Sequence, residues 1–172
     1  MISKWFIYIC LFSLLGCSSY QKYKYVTEEL EMPSRVFNAD FNEAWQSVLD
    51  VMKKYDLPIK NQEAGILKTS WMDNTEEINF ADSFSKSSAV KAAKFKLIVN
   101  VIKGFKDKRE VSKVTIYKRQ LIQNDILQGW KEIPSDNIIE KTILYRIERL
   151  ITIDLKLKEV EKKKEAEELK NF

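Results

Sequence analysis

Two runs of strand-forming residues constrain the fold of this chain more than any other feature. In Phe95–Ile102 one apolar residue falls at every second position, which is the period of a strand with one buried face. Val111–Ile122 follows after the charged turn Lys106–Arg109 and is rich in Val, Ile, Thr and Tyr. We therefore expect these two runs to pair as an antiparallel hairpin.

A helix is predicted on each side of this hairpin in the sequence. Asp40 can cap the first helix, with Glu43 completing an acidic capping box, and the helix should end near Tyr55. The apolar residues of this segment share one helical face: Phe41, Trp45, Val48, Leu49 and Met52. The last helix should open at Asp136 or Asn137 and continue to about residue 170.

Shorter segments complete the predicted order. Arg35–Phe37 reads as a first strand, and 57–60 with 66–71 read as a hairpin that turns at Gly65. Residues 73–94 are polar and are predicted to be a long excursion from the sheet. The order β-α-β-β-β-β-α predicts an α+β fold, in which a long C-terminal helix packs across an antiparallel sheet.

The N-terminal residues predict a compartment. Lys4 precedes an uncharged run from Trp5 to Leu15, which has the length of a signal-peptide core and is too short to span a bilayer. The run ends in Leu14-Leu15-Gly16-Cys17, which resembles the lipobox of bacterial lipoproteins. That resemblance implies removal of residues 1–16 and a lipid on Cys17; the alternative is an ordinary secretory signal with a chance cysteine.

This interpretation divides the chain into four segments. After the signal peptide, residues 17–34 form a lipid-anchored tether, 35–155 the folded domain and 156–172 a charged helical extension. Ser18 follows the cysteine in place of aspartate. By analogy with lipoprotein sorting in enteric bacteria, this favours the outer membrane over the inner membrane.

Composition argues against several kinds of chemistry. The chain of 172 residues has no histidine, and its two cysteines, Cys10 and Cys17, both precede the predicted domain. Its four glycines are isolated, so the sequence contains neither the glycine-rich motif of dinucleotide-binding folds nor that of a phosphate-binding loop. The net charge of +4 is too balanced to indicate a nucleic-acid partner. We expect no enzymatic activity, cofactor, bound metal or nucleic acid.

The first helix and the hairpin after it carry a family resemblance. Residues 37–45, then Leu57-Pro58-Ile59 and 63–71, look like the repeating unit of the BamC (NlpB) outer-membrane lipoproteins, with Trp45, Gly65 and Trp71 as the most specific residues. The resemblance implies a helix-grip fold and a role beside the β-barrel assembly machinery. This chain differs in having one such domain and a much shorter N-terminal segment.

Three residues are candidates for contacts with a partner. Trp130 follows Gly129 in a predicted loop, and Leu157 and Val160 extend the apolar spacing of the last helix beyond the domain. Trp45 and Trp71 are expected in the core. Two function classes stay open: a lipid-anchored scaffold that binds another envelope protein, and a periplasmic carrier of a small ligand or lipid in a pocket between sheet and helix.

Overall fold

The structure is a computed structural model that describes residues 32–82 and 89–169. The predicted signal peptide, Cys17 and nearly all of the tether lie outside these residues, and the compact unit begins at Pro33. The strands of the unit are β1 (Ser34–Phe37), β2 (Ile59–Asn61), β3 (Ile66–Lys68), β4 (Met72–Asp73), β5 (Ala92–Lys106), β6 (Arg109–Gln123) and β7 (Lys131–Ile133). The helices are α1 (Phe41–Met52), α2 (Thr75–Asp82) and α3 (Ile138–Glu168), and a 3-10 turn covers Ile126–Gln128.

The hairpin of β5 and β6 forms the middle of the sheet. Its strands have 15 residues each and pair antiparallel along their whole length. The two turn residues, Asp107 and Lys108, both have positive φ angles, at 51° and 63°, as a type I′ turn requires. The sheet order is β1-β6-β5-β3-β2, with β4 beside β5 and β7 beside β6, and every pairing is antiparallel.

Both long helices pack on one face of this sheet, so the predicted α+β fold is confirmed. The alternating residues of β5 point into the core as predicted, and Trp45 of α1 is buried with them. The core also includes four residues of α3 that recur about once per helical turn: Ile143, Leu144, Ile147 and Ile151.

The structure also corrects the predicted order. The polar segment 73–94 is not one excursion, because it contains the end of β4, helix α2 and the start of β5. Two side chains attach α2 to the backbone that leads into β5. Asn79 exchanges two hydrogen bonds with the backbone of Val90, and Thr75 Oγ1 accepts from the N–H of Ala93 at 2.8 Å.

The predicted capping box of α1 is wrong in part, and the predicted start of α3 is refined. Asp40 caps α1 by accepting from the N–H of Glu43 at 2.9 Å, but the Glu43 carboxylate forms an ion pair with Lys158 of α3. Asn137 precedes α3 in a left-handed conformation and makes no side-chain cap bond. Asp136 accepts from the N–H of Ile138 instead, at 3.2 Å.

Candidate functional site

The second half of α3 exposes an apolar stripe. Every side chain from Thr152 to Leu169 is exposed. Three apolar residues in this part follow i, i+4, i+7 spacing and so share one face of the helix: Ile153, Leu157 and Val160. We call them the α3 seam. Leu157 is 55% exposed and Val160 49%, so the structure places both predicted contact residues on accessible surface.

The seam is distinct from the stripe that holds α3 to the domain. The core residue Ile151 precedes Leu157 by six positions, which is roughly 120° around the helix. The buried stripe therefore faces the sheet, while the seam lies on a different side of the helix and is exposed. Among the described residues, no side chain of another element is packed closely enough to bury Leu157.

A groove between α1 and α3 runs beside the seam. It has a volume of about 440 Å³ and is lined by Ile151, Leu155 and Leu157 on α3 and by polar residues of α1. The ion pair of Lys158 with Glu43 lies at this groove and joins the two helices. Its hydrogen bond to Glu43 raises the pKa of Lys158, so the Lys158 ammonium is charged at neutral pH.

Trp130 lies on the sheet side of the molecule, beside a second tryptophan. It is 43% exposed, and the ammonium of Lys94 lies 4.0 Å from its ring centre. The same ammonium lies 5.1 Å from the ring centre of Trp71, and that of Lys96 lies 4.8 Å from it. These two tryptophans and two lysines form a cluster of alternating aromatic rings and cations, which we call the Trp–Lys cluster.

The predicted burial of Trp71 is wrong, since this residue is 39% exposed. The chain leaves β3 after Lys68 and re-enters the sheet at Met72, which pairs with the buried Phe95. Successive side chains point to opposite faces of a strand. Because Met72 takes the inward position, Trp71 is left on the solvent face.

A second polar group lies on the same face of the sheet. Glu132 accepts from the hydroxyl of Tyr117 at 2.9 Å and from Nε of Arg119 at 3.0 Å. These hydrogen bonds, with that of Tyr117 first, lower the pKa of Glu132, and the bond to Glu132 raises the pKa of Tyr117. Glu132 is therefore ionised and paired at neutral pH.

The start of α3 covers buried polar groups on the inner face. Lys118 is buried, and its ammonium donates to Asp136 Oδ1 at 3.1 Å. Glu140 is only 1% exposed, and within the described ranges no group donates to its Oε2. These groups lie under helix α3 rather than in an open cleft.

The described residues hold no group of three or more His, Cys, Asp or Glu side chains placed to bind a metal ion. None of the helices in the described ranges combines the length and the apolar character needed to cross a membrane. Comparison with known protein families gives no match, and comparison with curated proteins gives none either.

Sequence reasoning missed the partnership between the two tryptophans. The sequence indicates Trp130 alone as a contact residue and predicts Trp71 in the core. One signal was available: Lys94 and Lys96 occupy the positions of β5 that alternate with its apolar residues, so both had to lie on the outer face. Which aromatic residues meet them there depends on β4 and β7, whose two and three residues are too short to predict.

Proposed function

We propose that the protein is a non-enzymatic scaffold of the bacterial cell envelope, anchored by a lipid on Cys17, that binds another envelope protein through the α3 seam. The observation that supports this most is the seam itself. Helix α3 has 31 residues, and its exposed part still carries three apolar residues on one face. A solvated helix gains nothing from such a stripe, whereas a helix that packs on a partner helix needs one.

The proposed partner is a helical segment of another envelope protein. Lys and Glu residues surround the seam on α3, as they do at the flanks of helix pairs, where they select the partner and its orientation. The BamC resemblance implies the β-barrel assembly machinery as the class of partner and the outer membrane as the site.

The packed interior supports a scaffold over a carrier. A carrier of a small ligand or lipid would hold its ligand between the sheet and the helices. In the described residues that space is occupied by large core side chains, among them Trp45, Met52, Leu97, Ile116 and Ile147, all buried.

Site-specific photo-cross-linking in the native envelope tests the proposal. A photoreactive phenylalanine analogue replaces Leu157 in the full chain, and a matched variant carries it in place of Lys162. Lys162 is exposed on the same helix but lies roughly 140° around it from Leu157.

The proposal expects one discrete cross-linked protein from position 157 and none from position 162. The cross-link should disappear when Val160→Asp places a charge in the seam, while the melting temperature stays unchanged because Val160 is exposed. Cross-linking of equal strength from both positions, or from neither, would contradict the proposal.

A further inference from the structure

The outer face of the sheet is amphipathic and basic. Residues paired directly across antiparallel strands share a face, so the register identifies its members. Its basic residues are Lys68, Lys94, Lys96, Lys106, Arg109, Lys113 and Arg119, and its acidic residues are Asp73 and Glu132. Seven positive and two negative charges give this face a net charge of +5.

Apolar groups lie between these charges. Exposed aliphatic residues lie on the same face as Trp71 and Trp130, among them Val36, Ile59 and Ile102. Both long helices pack on the opposite side of the sheet. The face therefore offers tryptophan rings, aliphatic side chains and ammonium groups together on one accessible surface.

We infer that this outer face binds the headgroup region of an anionic phospholipid membrane. Tryptophan is enriched at the boundary between headgroups and hydrocarbon, where its ring is apolar and its N–H can bond to water or to lipid oxygens. Lysine extends its alkyl stem along apolar surface and its ammonium towards phosphate. Each basic side chain near an anionic bilayer adds to the attraction.

The geometry of the Trp–Lys cluster favours lipid over nucleic acid. A protein that binds single-stranded nucleic acid offers open ring faces on which bases stack. Here the Lys94 ammonium lies over both tryptophan rings, and the Lys96 ammonium lies over Trp71 as well. These lysines hold positive charge at the rings, where a lipid phosphate can pair with it while the ring edges enter the interface.

Charge also argues against self-association through this face. Two copies placed face to face would bring two surfaces with a net charge of +5 each against one another, and they would repel. A lipid anchor on Cys17 would keep the face near a bilayer and raise its effective concentration there. The inference itself rests on the charges and rings of the sheet, which do not depend on that anchor.

Quenching of tryptophan fluorescence by brominated lipid tests this inference on the full chain. The chain has four tryptophans, so the signal of interest is the difference between the native chain and Trp71→Phe/Trp130→Phe. Trp5 and Trp45 contribute equally to both proteins and cancel. The vesicles contain brominated phosphatidylcholine, either alone or with about 30 mol% phosphatidylglycerol.

We expect the difference signal to be quenched about twofold more strongly on the anionic vesicles, and this excess to be lost in about 0.5 M salt. Lys94→Gln/Lys96→Gln should abolish the excess. The matched control Lys162→Gln/Lys163→Gln removes the same charge from the exposed end of α3 and should keep it.

Three results would overturn the inference. The first is equal quenching on anionic and neutral vesicles. The second is an equal effect of the two lysine pairs, which would make the attraction a property of net charge alone. The third is a response of the difference signal to a single-stranded oligonucleotide but not to vesicles, which would assign the face to nucleic acid. None of these results bears on cross-linking from the α3 seam, so the two proposals fail separately.

Discussion

The carbonyl oxygen of Val101 lies 2.1 Å from the point that a Cβ atom on Gly65 would occupy. Gly65 has a φ of +62°, and its own carbonyl accepts from the N–H of Val101 at 2.8 Å. The absence of a side chain thus lets the turn between β2 and β3 lie directly against β5. This contact fixes the position of the small hairpin on the sheet.

Gly65→Ala should therefore destabilise the domain by about 2–4 kcal/mol, since it adds a steric clash with backbone to the cost of a positive φ. Gly129→Ala is the matched control, because Gly129 also has a positive φ but has open space around it. Urea titration should show a loss at least about 1 kcal/mol larger for residue 65. Equal losses would mean that the turn moves away from Val101 at little cost.

Glu140 is expected to reduce stability. Its Oε2 is buried without a hydrogen-bond donor in the described part of the chain, and an unpaired buried acceptor costs about 1–3 kcal/mol. Glu140→Met keeps the length of the side chain and removes the unpaired oxygen, so the free energy of unfolding should rise by a similar amount. A decrease would show that the carboxylate has a partner that stabilises it.

Asp136 should make stability depend on acid pH. Burial by itself raises the pKa of Asp136, but the hydrogen bonds from the Ile138 N–H and from Lys118 outweigh it and bring the pKa below its ordinary value of 3.8. Because folding lowers this pKa, the unfolded chain binds more protons in this range. The contribution of Asp136 is therefore present above about pH 4 and is lost as the pH falls through the folded-state pKa.

Comparison of the native chain with Asp136→Asn checks this dependence. At about pH 7 the variant should lose about 1–2 kcal/mol, because buried Lys118 loses its charged acceptor while the half-exposed position of Asp136 limits the effect. At about pH 2 the two proteins should differ little. A difference that stays constant with pH would rule out Asp136 as the titrating group.

The end of α3 should contribute little to the stability of the domain. Truncation after Asp154 removes Leu155, the seam residues Leu157 and Val160, and the ion pair of Lys158 with Glu43, all of which are exposed at least in part. An exposed ion pair contributes little to stability because water and salt screen it, so the melting temperature should fall by only a few degrees. If the truncated chain is unfolded instead, these residues are required for the stability of the domain and the prediction is wrong.

The parts of the fold that were predictable are those with strong local patterns. The alternation in β5 identifies the inner face of the sheet, and the apolar face of α1 identifies the side of the helix that packs on it. These apolar residues must be buried however the other elements are arranged. Helix α2 was missed because its stability comes from tertiary hydrogen bonds, such as those of Asn79 to Val90, rather than from an apolar stripe.

The candidate sites show the same division. The seam was visible because spacing along one helix defines it. The Trp–Lys cluster was not visible, because it depends on how three strands and a loop meet around Lys94. The exposed position of Trp71 is decided by the break between β3 and β4, which has no clear sequence signal.

The proposed function depends on a lipid anchor at Cys17. Mass spectrometry of the protein purified from membranes is the most direct test of that anchor. The account predicts a mature chain that begins at Cys17, with a diacylglycerol thioether on its sulfur and an acyl group on its amino terminus. Cys17→Ala should release the protein from the membrane fraction. An unmodified Cys17 thiol in a chain that retains residues 1–16, or that is cleaved elsewhere, would contradict the account.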